Sequence, residues 1–194
     1  MTAARHIIGA ALSTAVLCGT LHAEDDPFLS AETQQLRFRE AFSYAFKEDQ
    51  RGIEVGVEVF GKKEQRRLFG DKIGDYATLD VAITNNSPFR LHLSDFEVFN
   101  AGEKKPLAKD DLNEVVRDID PGGGGNKDHM RMAILRSALA TKSLQNIIVE
   151  PGATVQGVVF VREGKLDKKA ELFVRLQNLK RFAFLEYRIP FRSK

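Results

Sequence analysis

Alternating apolar and polar residues dominate the chain from residue 53 onward, and a period of two is typical of half-buried β-strands. The segment Ile53–Val59 shows this alternation most clearly. The same pattern, interrupted by turn residues, predicts further strands over residues 79–84, 91–98, 154–161, 171–177 and 182–189. At Ser94 and Asp95 the alternation shifts by one position, which predicts a β-bulge. Several short strands separated by turns predict a mainly β fold, an antiparallel sandwich over residues 53–194.

The segment 24–52 has a different pattern. Its apolar residues recur at spacings of three and four and predict a helix over residues 30–50 that ends before Gly52. The residues with this spacing are Phe38, Ala41, Phe42, Ala45 and Phe46. A strand is the alternative, because a period of two fits Leu36, Phe38, Phe42, Tyr44 and Phe46. Because β-branched residues are scarce here, the sequence favours the helix.

Two further regions have helical character. Lys62–Phe69 predicts a short charged helix that ends at Gly70. Asp110 to Asp118 predicts another, and a third begins at Asn126 or Asp128 and runs to Lys142. The glycine run at 122–125 between the last two is typical of a flexible loop. The sequence therefore predicts a helical insertion over residues 110–142 of the sandwich.

The first 23 residues have the order of a secretory signal. Arg5 and His6 precede the uncharged run Ile7–Leu17, and cleavage is expected after Ala23. The run is too short to cross a membrane comfortably, and no longer apolar run follows, so we expect no transmembrane segment in the mature chain. A buried N-terminal helix and a lipidated Cys18 are the alternatives. The predicted location is the periplasm, with secretion as the alternative.

Composition limits the chemistry of the exported chain. Cys18 is the only cysteine, so cleavage after Ala23 leaves no thiol for disulfides, thiol catalysis or thiolate metal sites. Cleavage also leaves 28 basic and 27 acidic residues, a balance that gives no reason to expect nucleic-acid binding.

Two stretches of the sequence resemble a known class of domain. LDVAITNNSPFRLHLSDFEVFNAGEKKPL (Leu79–Leu107) resembles the strand-turn-strand of exported bacterial immunoglobulin-like β-sandwich domains, and VEPGATVQGVVFV (Val149–Val161) resembles a later strand of the same domains. The resemblance covers about residues 53–191. It implies an immunoglobulin-like sandwich in an exported, often envelope-associated setting. It carries no catalytic residues to this chain.

The sequence contains a few residues of the types that catalysis and metal binding use. His92, Ser94 and Asp95 are nearly consecutive on a predicted strand, and such adjacency does not make a Ser-His-Asp relay. Oxygen-bearing residues surround the glycine run, as calcium requires, namely Asp118, Asp120, Asn126 and Asp128. Their spacing differs from that of a calcium loop, and Lys127 opposes a cation. The GGGGNK string lacks the arrangement of a phosphate-binding loop. We therefore assign no catalytic, cofactor-binding or metal-binding residue, and no cofactor.

Charged and aromatic residues suggest surfaces rather than chemistry. Glu54 and Glu58 would share a strand face about 13 Å apart, too far for a glycosidase pair, and are predicted to be solvated. Residues 165–194 contain nine basic and three acidic residues, which could attract anionic lipid, lipopolysaccharide or an acidic partner. The basic residues are Lys165, Lys168, Lys169, Arg175, Lys180, Arg181, Arg188, Arg192 and Lys194. If the 30–50 segment does not pack on the sandwich, Phe38, Phe42 and Phe46 would form an exposed partner site.

From these features we predict a non-catalytic, exported binding, adaptor or accessory protein of the bacterial cell envelope. Its partner would be an envelope protein or an anionic envelope surface, bound through strand edges, loops or the 110–142 insertion. The alternative is a periplasmic hydrolase acting on an envelope polymer or ester, for which the sequence shows no converging ionisable groups.

Overall fold

The computed structural model describes residues 34–107, 109, 112–120, 125–144, 148–162, 164, 166–178 and 183–192. The expected signal at 1–23, its cleavage site and Cys18 lie outside the described residues. Within the described ranges, no helix combines the length and the apolar character that a membrane span requires.

The strands of the described residues form two antiparallel four-stranded sheets. The first sheet has the order β1-β2-β3-β6 and the second the order β5-β4-β7-β8. The strands are β1 (Phe46–Gln50), β2 (Ile53–Val59), β3 (Tyr76–Asn85), β4 (Leu91–Asn100), β5 (Ile148–Val149), β6 (Thr154–Arg162), β7 (Lys169–Asn178) and β8 (Ala183–Arg192). The fold is thus mainly β and consistent with a sandwich, as the alternating pattern predicts.

The larger core lies between the facing sides of the two sheets. Alternate residues of β2 and β3, such as Val55 and Val81, pack against alternate residues of β4 and β7, such as Leu93 and Leu172. These side chains are fully buried. The period of two therefore predicts the buried face of these strands correctly, because each sheet has one face on this core.

A smaller apolar core lies on the opposite side of the first sheet. It is formed by α1 (Lys62–Phe69), α2 (Leu112–Ile119) and α3 (Asn126–Ala140), together with a 3₁₀ turn at Asp71–Asp75. Leu68, Val116 and Leu139 contribute helix side chains to this core, and Phe160 of β6 contributes the sheet side. The helices predicted at 62–69 and within 110–142 are confirmed, with the last one ending at Ala140 rather than Lys142.

The helix predicted over 30–50 is wrong for the described part of that segment. Residues 34–40 have no regular secondary structure, Ala41–Ser43 form one 3₁₀ turn, and Phe46–Gln50 form β1. The strand alternative is met only in part, because of the residues with a period of two only Phe46 lies in a strand, at the start of β1. Strand pairing with β2 and contacts with the first sheet satisfy the backbone here, so tertiary interactions override the helical spacing.

Candidate functional site

The N-terminal segment, residues 36–45, crosses the outer face of the first sheet. Gly56 of β2 makes this possible, since a Cβ atom there would lie 2.7 Å from the carbonyl oxygen of Ala41 and 2.8 Å from the Cβ of Tyr44. The backbone N–H of Ala41 donates to the Thr84 hydroxyl on β3 over 3.0 Å. The Thr84 hydroxyl lies 2.9 Å from that of Thr154 on β6. The segment is therefore held by specific polar contacts as well as by packing.

The side-chain amide of Gln156 on β6 binds the same segment at two points. Its Oε1 accepts the backbone N–H of Arg39 over 3.1 Å, and its Nε2 donates to the carbonyl of Arg37 over 3.1 Å. The Nε2 group also lies 2.9 Å from Oδ1 of Asp80. Because one amide satisfies an N–H and a C=O of the segment, Gln156 acts as a backbone partner would in a strand pair.

An ionic cluster lies beneath the segment. The Arg39 guanidinium donates to Oε2 of Glu58 over 2.8 Å and lies 4.0 Å from Oδ2 of Asp80. It also stacks over the Tyr44 ring, 4.1 Å from the centroid. Glu58 and Asp80 face each other directly on β2 and β3. Two carboxylates on neighbouring strands thus share one arginine supplied by the N-terminal segment.

Burial raises the pKa values of two residues in this cluster, Asp80 and Tyr44. Asp80 is 1% exposed, and its pKa is raised mainly because burial disfavours the charged carboxylate. The hydrogen bond from Gln156 and the charge of Arg39 oppose this rise in the pKa of Asp80, and the charge of Glu58 adds to it. Burial, and then the nearby Asp80 carboxylate, raise the pKa of Tyr44 far above its ordinary value, so the phenol stays neutral.

A cleft of about 740 Å³ opens beside the cluster. Its walls carry Leu36, Phe38, Phe42 and Phe60, and Glu58 and Asp80 line it as well. Phe38 is 64% exposed and Phe42 is 55% exposed, whereas Phe46 is half-buried and packs against the sandwich core. An aromatic rim above a charged floor can hold an apolar side chain and pair with a charge on the same partner.

Of the candidate catalytic residues, His92 and Asp95 lie on the same outer face of the second sheet, because the predicted bulge is present between Leu93 and Asp95. The Ser94 hydroxyl donates to the Arg175 carbonyl over 3.0 Å. In the described part of the chain no hydrogen bond joins His92 to Ser94 or Asp95. The three residues therefore do not form a relay in this structure.

The acidic residues near the glycine run face cationic and phenolic groups. Asp118 Oδ2 accepts the Tyr76 hydroxyl and an Arg162 N–H, each over 2.7 Å. Asp120 Oδ2 accepts an Arg131 N–H over 2.5 Å. The side chains of Asn126 and Asp128 lie outside the described residues. Among the residues that are described, no group of three potential metal ligands is present.

Two expectations about charged faces have different outcomes. Glu54 and Glu58 are half-buried rather than solvated. Arg39 of the N-terminal segment pairs with the Glu58 carboxylate. This corrects the predicted solvated sheet face.

On the second sheet, Arg175 pairs with Glu186 and Arg188 with Glu171, which matches the description of an ordinary exposed sheet face. Lys165, Lys180, Arg181 and Lys194 lie outside the described residues. The binding of an anionic surface by this stretch stays a prediction.

The cluster of Arg39, Asp80 and Gln156 was not predicted from the sequence. Asp80 sits at an outward-facing position of an alternating strand, and such positions usually face solvent. The one available signal is the glycine at position 56 in an otherwise apolar and acidic strand, since such a glycine often marks the close approach of another backbone.

No protein-family model and no curated protein matches the chain. Solved structures with a distant similarity include a functionally unknown protein from Listeria monocytogenes EGD-e, with 15% identity over 77% of this chain and 83% of that chain and a TM-score of 0.37. A FixG-related protein from Vibrio parahaemolyticus has 11% identity over 75% and 99% of the two chains, with a TM-score of 0.33. A conserved hypothetical protein from Bacillus anthracis has 10% identity over 75% and 92%, with a TM-score of 0.34. At these values the similarities support no conclusion about function.

Proposed function

We propose that this protein is a non-catalytic, exported binding or accessory protein of the bacterial cell envelope, and that its partner docks in the cleft beside the N-terminal segment. The observation that carries the proposal is the exposure of Phe38 and Phe42 at the rim of a cleft whose floor is already ordered by Arg39 and Glu58. Exposed aromatic residues beside a structured pocket are typical of protein–protein interfaces. The periplasmic location, with secretion as the alternative, is part of the proposal and rests on the signal-like residues 1–23.

We further propose that the sandwich is of the immunoglobulin-like type. The strand order supports this assignment. In such domains the central strand of one sheet is followed by a strand of the other, and the last two strands pair beside it. Here β3 is followed by β4 in the second sheet, and β7 and β8 complete that sheet beside β4. Strand β6 returns to pair with β3, which gives a Greek-key connection.

The charge of the cleft indicates the kind of partner. Among the described residues that line it, the ionisable ones are Arg37, Arg39, Glu40, Glu58, Glu64 and Asp80. Carboxyl groups outnumber guanidinium groups, so this surface is poorly suited to an anionic membrane. An extended segment of an envelope protein that carries a basic residue among apolar ones fits both the aromatic rim and the acidic floor.

Site-specific crosslinking in cells tests this proposal. A photoreactive amino acid at position 42 should capture an envelope protein, and mass spectrometry should map the crosslink to a basic, apolar segment. Phe184 supplies the matched control, since it is also 55% exposed and lies on β8 of the other sheet.

Substitutions complete the test. Phe38→Ser and Phe42→Ser should lower recovery of the partner about tenfold or more, while the melting temperature stays close to that of the unmodified protein. Phe184→Ser should leave recovery unchanged. Equal capture from positions 42 and 184, or recovery that is insensitive to Phe38→Ser and Phe42→Ser, would contradict the proposal.

The hydrolase alternative is favoured by one observation. Asp80 faces Glu58 across the strand pair and burial raises the pKa of Asp80, and two adjacent carboxyl groups are an arrangement that acid–base catalysis uses. The burial of Asp80 beneath the N-terminal segment opposes this function, because only 1% of the residue is exposed where it lines the cleft.

A direct assay separates the two functions. Purified protein should release no product from envelope polymers or from small esters. Turnover that is lost in Asp80→Asn and in Glu58→Gln, with both variants folded, would replace the binding proposal with the hydrolase.

A further inference from the structure

The turn between β1 and β2 has an unusual backbone. Arg51 has a φ angle of 57° and Gly52 one of 77°. Two-residue hairpin turns with positive φ at both positions favour asparagine, aspartate or glycine at the first, because a larger side chain is strained there. Among the described non-glycine residues, Arg51 is the only one with a positive φ. Backbone strain of this kind clusters at functional sites, so the side chain of Arg51 is a candidate ligand-binding group.

Arg51 lines a small pocket at this end of the sandwich. The pocket has a volume of about 160 Å³ and lies where the β1–β2 turn, the β3–β4 turn and β8 meet. Its apolar lining is formed by Ile53, Pro88, Phe89, Leu91 and Leu185. An apolar cavity of roughly 150 Å³ holds one benzene molecule. The pocket therefore has room for an apolar group of about that size.

Two polar residues of the pocket lining, Ser87 and Arg51, differ in whether their side chains already have a hydrogen-bond partner. The Ser87 hydroxyl donates to Oδ1 of Asn85 over 2.6 Å and is thus occupied. Arg51 is exposed, and within the described part of the chain no ion pair or side-chain hydrogen bond involves it. The two acidic residues of β1 are Glu48 and Asp49, whose side chains accept from Gln50 and from the Gly52 N–H. The guanidinium of Arg51 is therefore available to a ligand.

We propose that this end pocket binds a small monocarboxylate with an apolar body, the body filling the cavity and the carboxylate pairing with Arg51. A guanidinium presents two parallel N–H donors that match the two oxygens of a carboxylate. Desolvation of the apolar body supplies the remaining affinity. The pocket shares no lining residue with the cleft beside the N-terminal segment, so the proposal is independent of the function proposed above.

Benzoate is a suitable probe, because its ring has the size of the cavity. Titration into isotope-labelled protein should shift the amide resonances of Arg51, Ile53 and Leu91 in a saturable way, with a dissociation constant of about 1 mM. Arg51→Asn keeps a residue that tolerates positive φ and removes the cation, so the fold should be retained while the dissociation constant rises about tenfold. Arg51→Lys should give an intermediate value.

Control experiments test whether benzoate binds in this pocket and whether its carboxylate contributes to the affinity. Benzyl alcohol has the same ring without the charge and should bind the unmodified protein and Arg51→Asn equally. Arg136→Asn removes an exposed arginine on α3 outside the pocket and should leave benzoate binding unchanged. Leu185→Phe should abolish binding by filling the cavity, and a dispersed amide spectrum checks that this variant folds.

Two outcomes would overturn the proposal. One is the absence of saturable shifts at these amides. The other is an equal affinity of benzoate for the unmodified protein and for Arg51→Asn, which would make Arg51 a turn residue only.

Discussion

Folding places the Asp80 carboxyl group in a buried site, where the charged form is less stable than it is in water. It is buried beneath the N-terminal segment, and burial raises its pKa above the ordinary value of 3.8 in spite of Gln156 and Arg39. The folded state therefore binds this proton more tightly than the unfolded state does. Its contribution to the free energy of unfolding is present below about pH 3.8 and is lost as the pH rises through the folded-state value.

We expect Asp80→Asn to remove this pH dependence. The neutral amide forms a different hydrogen bond with Gln156 and does not titrate. The stability of the variant relative to the unmodified protein should therefore rise as the pH increases above about 3.8. Asp118 is the control of opposite sign. The hydrogen bond from Tyr76 lowers the pKa of Asp118, so its contribution is present above the ordinary pKa and is lost as the pH falls through the folded-state value. Urea unfolding of Asp80→Asn and Asp118→Asn at pH values both above and below 3.8 measures the difference, and a pH profile of Asp80→Asn parallel to that of the unmodified protein would contradict the assignment.

For individual residues, the sequence predicts which face of a sheet a side chain lies on, but not which distant side chains it contacts. The alternation identifies Val55, Val81 and Leu93 as core residues, because a strand with one buried face repeats every second residue. It does not predict that Arg39 reaches Asp80, since the two are far apart in sequence and no local pattern connects them. Whether an outward-facing carboxylate is solvated or covered depends on which other segment lies over its sheet.

At the scale of elements, the N-terminal segment differs most from its prediction. Its helical spacing is real, but helices of this length are marginal without a packing surface. The sheet offers Thr84 and Gln156 as polar partners and the open space above Gly56, so an irregular chain followed by β1 satisfies more of the backbone than a helix would. In contrast, α2 and α3 meet the apolar outer face of the first sheet, and their predicted helices form.

Gly56→Ala should separate the segment from the sandwich. The added methyl group would clash with backbone and Cβ atoms of residues 41 and 44, so the segment must move, at a cost of about 1–3 kcal/mol. Hydrogen exchange at the amides of Arg39 and Ala41 should accelerate, while the amides of β3 and β7 stay protected. Gly61→Ala is the matched control, because nothing lies within 4 Å of a Cβ there. Unchanged exchange at Arg39 and Ala41 in Gly56→Ala would show that these contacts do not hold the segment.

For the whole molecule, the central feature is a strand shared by two cores. All ten residues of β3 are buried, because one face lies in the sandwich and the other is covered by the helices and the N-terminal segment. Tyr76 of β3 belongs to the helical core, and Val81 of the same strand belongs to the core between the sheets. Loss of either core exposes one face of this strand, so we infer that the two cores unfold together.

Leu139→Ala tests this coupling. Leu139 is fully buried on α3, and its truncation should lower the free energy of unfolding by about 2–5 kcal/mol. Fluorotyrosine resonances at Tyr76 and Tyr187 report the helical core and the sandwich core separately, and both should show the same urea midpoint in the variant. Ile134→Ala lies on the same helix at a position 39% exposed and should change stability by less than about 1 kcal/mol. A lower midpoint at Tyr76 than at Tyr187 would mean that the helical layer opens without the sandwich, and the insertion would then be an independent unit rather than part of one cooperative fold.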